Sequence, residues 1–256
     1  MTKRYIVIPD SQVKPDEDVA FLNWISQYIV DCKPDVIVHL GDFWDMQSLS
    51  SYDKGKRQFE GRRYAKDIDA GNHAWNVLNQ PIRDEVDRLE RNKKKRWNPN
   101  RFFLLGNHEQ RIQRAVDKQA ELEGIIGYHD LAVTYDEDWD VQGFLDPLIL
   151  DGIAFNHYFV TGLSGRPSST ANAQLNKQHM SCIAGHQQGL QIATAHRADG
   201  KRMTSIIAGS CYVHDEEYLG PQGNNHWRGI LRLEEVQDGQ FDLLPISLNF
   251  LKKKYN

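Results

Sequence analysis

The chain has 256 residues, of which 40% are hydrophobic and 10% aromatic. This is enough apolar material for one well-buried domain and excludes an intrinsically disordered protein. The formal net charge of -4 gives no overall basic balance of the kind typical of nucleic-acid-binding proteins. No apolar run approaches the roughly 20 residues of a membrane-spanning helix. The N-terminal apolar run reaches Pro9 too soon for a secretory signal peptide, so we expect a cytoplasmic protein.

Cysteines and basic runs add two local expectations. Three widely spaced cysteines favour a reducing compartment and three buried thiols over a disulfide framework; they are Cys32, Cys182 and Cys211. Basic residues cluster at 88–101 and at 252–254. We interpret these runs as a solvated helix end and a frayed tail, with a patch that steers phosphate or nucleic acid as the alternative.

The first forty residues predict a βαβ unit. Residues 5–9 form a short, β-branched apolar run, which is typical of a buried strand. A helix is predicted to begin at Pro15, because apolar residues then recur at helical spacing up to position 29. A second strand at 36–40 ends at Gly41.

Residues 46–100 differ from this pattern. Charged and amide residues dominate, with apolar positions at helical spacing, among them Ala74, Leu78 and Ile82. We predict a polar helical insertion, in the form of a hairpin, within a single domain of residues 1–256. The chain returns to the sheet at 101–105, and a helix is predicted at 109–121.

The second half is predicted to be rich in strands. They are expected at 148–150, 153–155, 181–184, 205–208, 229–233 and 241–245. Segments 161–169 and 220–226 have the composition of turn-forming loops.

Potential metal ligands follow the ends of the predicted strands. They are Asp10 and Gln12, Asp42 and Asp45, Asn107, His108 and Glu109, His157, and His186. Ligands gather at the carboxyl ends of strands in open α/β sheets, so these side chains are expected to converge on a site rich in oxygen and nitrogen donors. Taken singly, each aspartate could instead be a turn or helix-cap residue. Each histidine could instead be a structural residue whose hydrogen bonds are satisfied. The Gly-Asn-His-Glu segment at 106–109 is the most specific of these signals.

In this order, five segments resemble the metal-binding blocks of the calcineurin-like metallophosphoesterase superfamily. They are PDSQ at 9–12, GDFWD at 41–45, GNHE at 106–109, NHY at 156–158 and GHQQ at 185–188. Because it has glutamine in the first and last blocks, the chain resembles bacterial and phage members of this superfamily. The resemblance covers residues 10–188 and implies an α/β fold: a four-layer α-β-β-α sandwich of two mixed sheets with a helical insertion.

The resemblance also implies the role of each matching residue. Asp42 would bridge two divalent metal ions. Asp10 and Gln12, with Gln188 as a further candidate, would hold the first ion. Asn107, His157 and His186 would hold the second. His108 would face the scissile phosphate and protonate the leaving oxygen, oriented by Asp45.

Two glutamines depart from the common pattern of histidines. The carbonyl oxygens of Gln12 and Gln188 are harder and weaker donors than imidazole nitrogens. The first site is therefore expected to prefer Mn²⁺, or Mg²⁺, over Zn²⁺; Fe and Ni²⁺ remain candidates. The alternative is that the first metal site is partly lost.

The resemblance implies a metal-dependent phosphoesterase that attacks phosphorus with a hydroxide held by two ions. We favour a phosphodiester or nucleotide-type substrate, nucleic acid included, with phosphomonoesterase action on the same site as the alternative. A non-catalytic protein that binds metal or nucleic acid is the alternative from another class. Arg166, Arg111 and His226 are the candidate substrate-binding residues. Aromatic residues of the insertion either stack on a base or form a small core of their own.

Overall fold

A computed structural model of the chain describes residues 2–216 and 219–256. The described residues form eleven β-strands and six α-helices. The strands are β1 (Lys3–Ile8), β2 (Val36–His39), β3 (Asn100–Leu104), β4 (Asp140–Gln142), β5 (Leu148–Leu150), β6 (Ile153–Asn156), β7 (Ser181–Ala184), β8 (Gln191–His196), β9 (Arg202–Ile207), β10 (Gly229–Gln237) and β11 (Gln240–Ser247). The helices are α1 (Ala20–Cys32), α2 (Tyr64–Arg91), α3 (Gln110–Lys118), α4 (Ala171–Gln178), α5 (Gly220–Gly223) and α6 (Leu248–Tyr255).

The strands form two mixed sheets. The first has the order β11-β10-β1-β2-β3-β4, with β1 to β4 parallel and β10 and β11 antiparallel. The second has the order β5-β6-β7-β9-β8, with β6, β7 and β9 parallel. The carboxyl ends of the parallel strands therefore lie together at one edge of each sheet, where the predicted ligands follow them.

Alternating side chains of the strands build the layers. On β1, Val7 packs between the sheets with Phe155 and Ile183 of the second sheet. Its neighbour Ile6 points to the opposite face, as the two-residue period of a strand requires, and packs with Leu22 of α1. On the far side, α4 covers the second sheet. The predicted four-layer sandwich of two mixed sheets is therefore confirmed.

The segment 46–100 contains one long helix, and the predicted hairpin is wrong. Helix α2 runs unbroken for 28 residues, with Pro81 inside it. Its buried positions recur every three or four residues and form one continuous stripe: Gly71, Ala74, Trp75, Leu78, Ile82, Glu85 and Leu89. Burying this stripe against α1 and the first sheet stabilises a single helix, and it places Trp75 in the main core.

Other boundaries differ for local reasons. Helix α1 begins at Ala20 and not at Pro15, because Asp16 adopts a left-handed conformation and the Asp18 carboxylate accepts the Ala20 amide. The lysines at 252–254 belong to helix α6, so the expectation of a frayed tail is wrong. Cys182 and Cys211 are buried, whereas Cys32 is partly exposed; all three are free thiols. Among the described residues, no helix has the length and apolar character to cross a membrane.

Candidate metal centre

The site lies where the two sheets meet at their strand ends. Asp10 follows β1 and Asp42 follows β2, both in the first sheet. His157 follows β6 and His186 follows β7, both in the second sheet. The His186 amide donates to Asp10 Oδ1 over 2.9 Å, and His157 Nε2 lies 3.3 Å from Asp42 Oδ2. Each sheet therefore contributes half of one polar cluster.

The centre of the cluster is Asp42. One potential ligand atom from each of Asp42, His157 and His186 lies within 4.8 Å of the others. Asn107 joins them, since its Oδ1 lies 2.9 Å from His157 Nε2. Burial acts to raise the pKa of Asp42, but the neighbouring His108 and His157 outweigh it and hold this pKa below its usual range. Asp42 is therefore a buried carboxylate kept in its ionised form, as a metal ligand requires.

The orientation of His157 is fixed by its second nitrogen. This residue is fully buried, and Nδ1 lies 2.8 Å from the carbonyl oxygen of Leu40. A carbonyl only accepts, so Nδ1 carries the proton and donates it. Nε2 then faces the oxygens of Asp42 and Asn107. Burial acts to lower the pKa of His157, but the charge of Asp42 outweighs it and raises this pKa to about 9. A bound cation would take the place of the Nε2 proton and leave the tautomer of a metal ligand.

Asp10 carries an unsatisfied atom. Its side chain is fully buried, and Oδ2 has no hydrogen-bond partner among the described residues. Burial, and then the charge of Asp42, raise the pKa of Asp10 to about 7. Burying a carboxylate oxygen without a hydrogen-bond partner destabilises the fold by roughly several kcal/mol, because the oxygen loses its hydration. A bound cation would remove this cost.

These residues fit a divalent cation. The cluster offers carboxylate, amide and imidazole donors, and this donor set suits Mn²⁺, Mg²⁺, Fe, Ni²⁺ or Zn²⁺. Of the seven predicted ligands, the structure brings Asp10, Asp42, Asn107, His157 and His186 together. Gln12 and Gln188 line the adjoining open cavity of 550 Å³, together with Asp42 and His186. Their membership in the ligand set stays a prediction.

The backbone makes room for this cluster at two glycines. A Cβ on Gly106 would lie 2.2 Å from Asp42 Oδ1, and one on Gly185 would lie 2.4 Å from Asp10 Oδ1. Three of the candidate ligands themselves have positive φ angles, namely Gln12 (41°), Asp42 (51°) and His186 (67°). Such strain in residues other than glycine costs about 1–3 kcal/mol each and is typical of functional sites.

His108 and Asp45 form a second pair beside the cluster. His108 Nδ1 lies 2.7 Å from Asp45 Oδ1, and His108 Nε2 lies 3.7 Å from Asp42 Oδ2. Burial lowers the pKa of His108, but the charges of Asp42 and Asp45 outweigh it, so this pKa lies above its ordinary value. Arg111 Nη2 lies 2.9 Å from His108 Nε2. The predicted pairing of Asp45 with His108 is present in the structure.

Glu109 holds the loops of the site, a role that sequence reasoning missed. Its fully buried carboxylate accepts the backbone amides of Asp42, Phe43, Trp44 and Gly106 over 2.7–3.0 Å. It therefore ties the loop after β2 to the loop after β3. Its place next to His108 in the Gly-Asn-His-Glu segment was the available signal, but only the fold shows which amides it faces.

The candidate substrate-binding residues separate into two groups. Arg111 lines a cavity of 590 Å³ together with Gln12, Asn107 and His108. His226 lines the 550 Å³ cavity and is held by Ser210 Oγ and by the Gly223 carbonyl. Arg166 is exposed and is not among the described residues that line either cavity, so the structure does not bring it to the site.

Lys14 is a further charged residue at the site that the sequence did not single out. Its Nζ contacts the Glu216 carboxylate and lies 3.9 Å from Asp45 Oδ2. Lys14 therefore places a positive charge behind the His108–Asp45 pair.

In sequence, known proteins match only part of this chain. No protein-family model matches the chain. The Gene 54 protein of Mycobacterium phage L5 is 39% identical over 67 residues, which is 26% of this chain and 26% of that protein. The Gene 54 protein of Mycobacterium phage D29 is 37% identical over 67 residues, again 26% of each chain. The matched region thus spans about a quarter of the length of these curated relatives.

Two solved structures are also similar. YfcE, described as a phosphoesterase from E. coli, is 11% identical, with 96% of this chain and 100% of that chain covered and a TM-score of 0.38. A second solved structure is 12% identical at the same coverage, with a TM-score of 0.42. We therefore infer function from the arrangement of the site itself.

Proposed function

We propose that this protein is a metal-dependent phosphoesterase whose substrate is a phosphodiester. The observation that carries the proposal is the position of His108 Nε2, 3.7 Å from the carboxylate at the centre of the candidate metal cluster. A proton carrier paired with a carboxylate thus lies beside a cluster that fits a cation. A site that only binds metal has no need of this pair.

The metal ligands are assigned from the cluster. Asp10, Asp42, Asn107, His157 and His186 would hold the ions, and Gln12 and Gln188 would complete the first site. When bound, the ions act as Lewis acids that neutralise phosphate oxygens and ease the ionisation of water.

The remaining chemistry belongs to the His108–Asp45 pair. Asp45 keeps the Nδ1 proton of His108 in place and stabilises the protonated ring. Arg111 Nη2 only donates, so His108 Nε2 accepts from it in the absence of substrate. When a phosphate draws Arg111 away, Nε2 would hold the proton that passes to the leaving oxygen. Arg111 and Lys14 add positive charge at the two ends of this pair.

The shape of the site favours a diester. The cavities of 590 Å³ and 550 Å³ both include Gln12 and His108 in their linings, so they meet at the catalytic pair. A phosphodiester carries two substituents, and each cavity has room for one of them. A phosphomonoester would leave one cavity without a role.

The proposal is tested by metal reconstitution. The protein is stripped with a chelator, Mn²⁺, Mg²⁺, Zn²⁺ or Ni²⁺ is added back, and hydrolysis of bis-p-nitrophenyl phosphate and p-nitrophenyl phosphate is measured. We expect turnover to return with Mn²⁺ and to favour the diester. A reversed preference would support the phosphomonoesterase. Metal binding without hydrolysis of either ester would contradict the proposal in favour of a binding protein.

A further inference from the structure

A groove of 260 Å³ lies between helix α3 and the segment 48–59. We call it the α3 groove. Four cationic side chains line it: Lys54, Arg111, Arg114 and Lys118. No acidic side chain is among the described residues that line it. The groove is therefore a local positive surface on a chain whose formal net charge is -4.

Three of the four groove cations keep their charge available to a ligand, whereas Arg111 lies 3.7 Å from Asp45 Oδ1. Within the described part of the chain, no carboxylate forms an ion pair with Lys54, Arg114 or Lys118. This differs from the 590 Å³ cavity, where Lys14 is paired with Glu216 and Arg62 is paired with Asp53. A negatively charged ligand that binds at Lys54, Arg114 or Lys118 thus displaces no ion pair among the described residues.

The groove is continuous with the catalytic pair. Ser50 and Arg111 line both the groove and the 590 Å³ cavity, and Arg111 contacts His108. From Arg111 the cations continue along one face of α3 through Arg114 to Lys118. At a rise of about 1.5 Å per residue, this row extends roughly 10 Å away from the site.

The other lining groups match a nucleic-acid strand. Phe59 offers an aromatic face, and serines at positions 48, 50 and 51 offer hydroxyl groups. Cations that follow a backbone, combined with an aromatic face, are typical of proteins that bind single-stranded nucleic acid. His108 is only 14% exposed at its side chain, so a flexible single strand reaches it more readily than a stiff duplex does.

We propose that the α3 groove binds the phosphates of a single-stranded nucleic acid next to the phosphate held at the metal centre. The substrate of the protein is then a nucleic-acid strand, and not a mononucleotide or small ester. This assignment of substrate rests on the proposed phosphoesterase function. The groove itself is testable by binding alone.

The test removes the two lysines of the groove, neither of which lines the 590 Å³ cavity at the catalytic pair. Lys54→Ala/Lys118→Ala is combined with His108→Ala to suppress turnover. Binding of a fluorescent 12-residue single-stranded oligonucleotide is then measured by anisotropy at several salt concentrations. We expect Kd to rise about tenfold at low salt, and the slope of log Kd against log salt to fall by roughly 1.4, at about 0.7 for each lost phosphate contact.

The matched control is Lys94→Ala/Lys95→Ala in the same background. Both residues are exposed in the basic run after α2, so this variant loses the same charge outside the groove. An equal loss of affinity in the control, an unchanged Kd in the groove variant, or equal binding of a blunt duplex would each overturn the inference. If bis-p-nitrophenyl phosphate is not hydrolysed but binding depends on the groove lysines, the proposed function fails and the groove stands.

Discussion

At the residue scale, the proposed function gives neighbouring residues different roles, since some would hold a cation and one would move a proton. Asp42 and His108 lie close together, yet their contacts differ. Asp42 lies at the centre of the cluster that fits a metal ion. His108 Nδ1 lies 2.7 Å from Asp45 Oδ1, and His108 lines the 590 Å³ cavity. The two residues should therefore fail in different ways when substituted.

Replacing His108 tests this separation. His108→Ala removes the proton carrier but leaves the ligand atoms in place, so we expect kcat on a diester to fall by roughly 10²- to 10⁴-fold with metal content retained. Asp42→Ala should instead empty the site. Metal content is measured by elemental mass spectrometry and turnover by a spectrophotometric assay. His129→Ala, at a histidine with a 64% exposed side chain, is the control and should change neither. Equal loss of metal in His108→Ala and Asp42→Ala would contradict the assignment.

At the element scale, the sequence predicted the strands better than the helices. Residues 148–150 and 181–184 were predicted with the observed bounds. Strands β4 and β8 were missed, because β4 has only three residues and β8 is an edge strand whose side chains are mostly polar or small. The hairpin within 46–100 was wrong because tertiary packing stabilises one long helix, α2, which continues through Pro81. Local patterns carry no information about such packing.

Packing of α2 makes a prediction that opposes helix propensity. Gly71 lies against the indole of Trp44, and a Cβ there would meet the ring at 1.8 Å. Alanine is the better helix former by about 1 kcal/mol, but overpacking of a core costs about 1–3 kcal/mol. We therefore expect Gly71→Ala to lower the free energy of unfolding, measured by urea denaturation. Asn76→Ala, at an exposed position of the same helix, should leave it unchanged or raise it slightly. If both substitutions raised the free energy of unfolding, the Trp44 ring would be able to shift without loss of stability, and the prediction would be wrong.

At the scale of the whole molecule, the metal centre joins the two sheets. Asp10 and Asp42 come from the first sheet, and His157 and His186 from the second. The sequence predicted these strand-end positions because parallel strands place their carboxyl ends at one edge. It could not predict that Arg166 would be absent from the lining of both cavities, or from which backbone amides Glu109 would accept hydrogen bonds. Those facts depend on how loops from both sheets meet.

A ligand that holds both sheets together should stabilise the whole fold. A metal ion that binds only the native state adds about 4 kcal/mol to the free energy of unfolding when its free concentration exceeds Kd by roughly 1,000-fold. For a chain of this size, that corresponds to a rise in Tm of roughly 10 °C. Differential scanning calorimetry with and without Mn²⁺ measures this shift. Asp42→Ala should show none, and an unchanged Tm of the intact protein on saturation with Mn²⁺ would argue against a site that spans the sheets.

The central claim is that Asp10, Asp42, Asn107, His157 and His186 hold metal ions beside His108. Anomalous diffraction from crystals grown with Mn²⁺ tests it most directly. We predict two anomalous peaks next to Asp42, one contacted by Asp10 and the other by His157 and His186. Peaks at other places only, or no peak at millimolar Mn²⁺, would contradict the account.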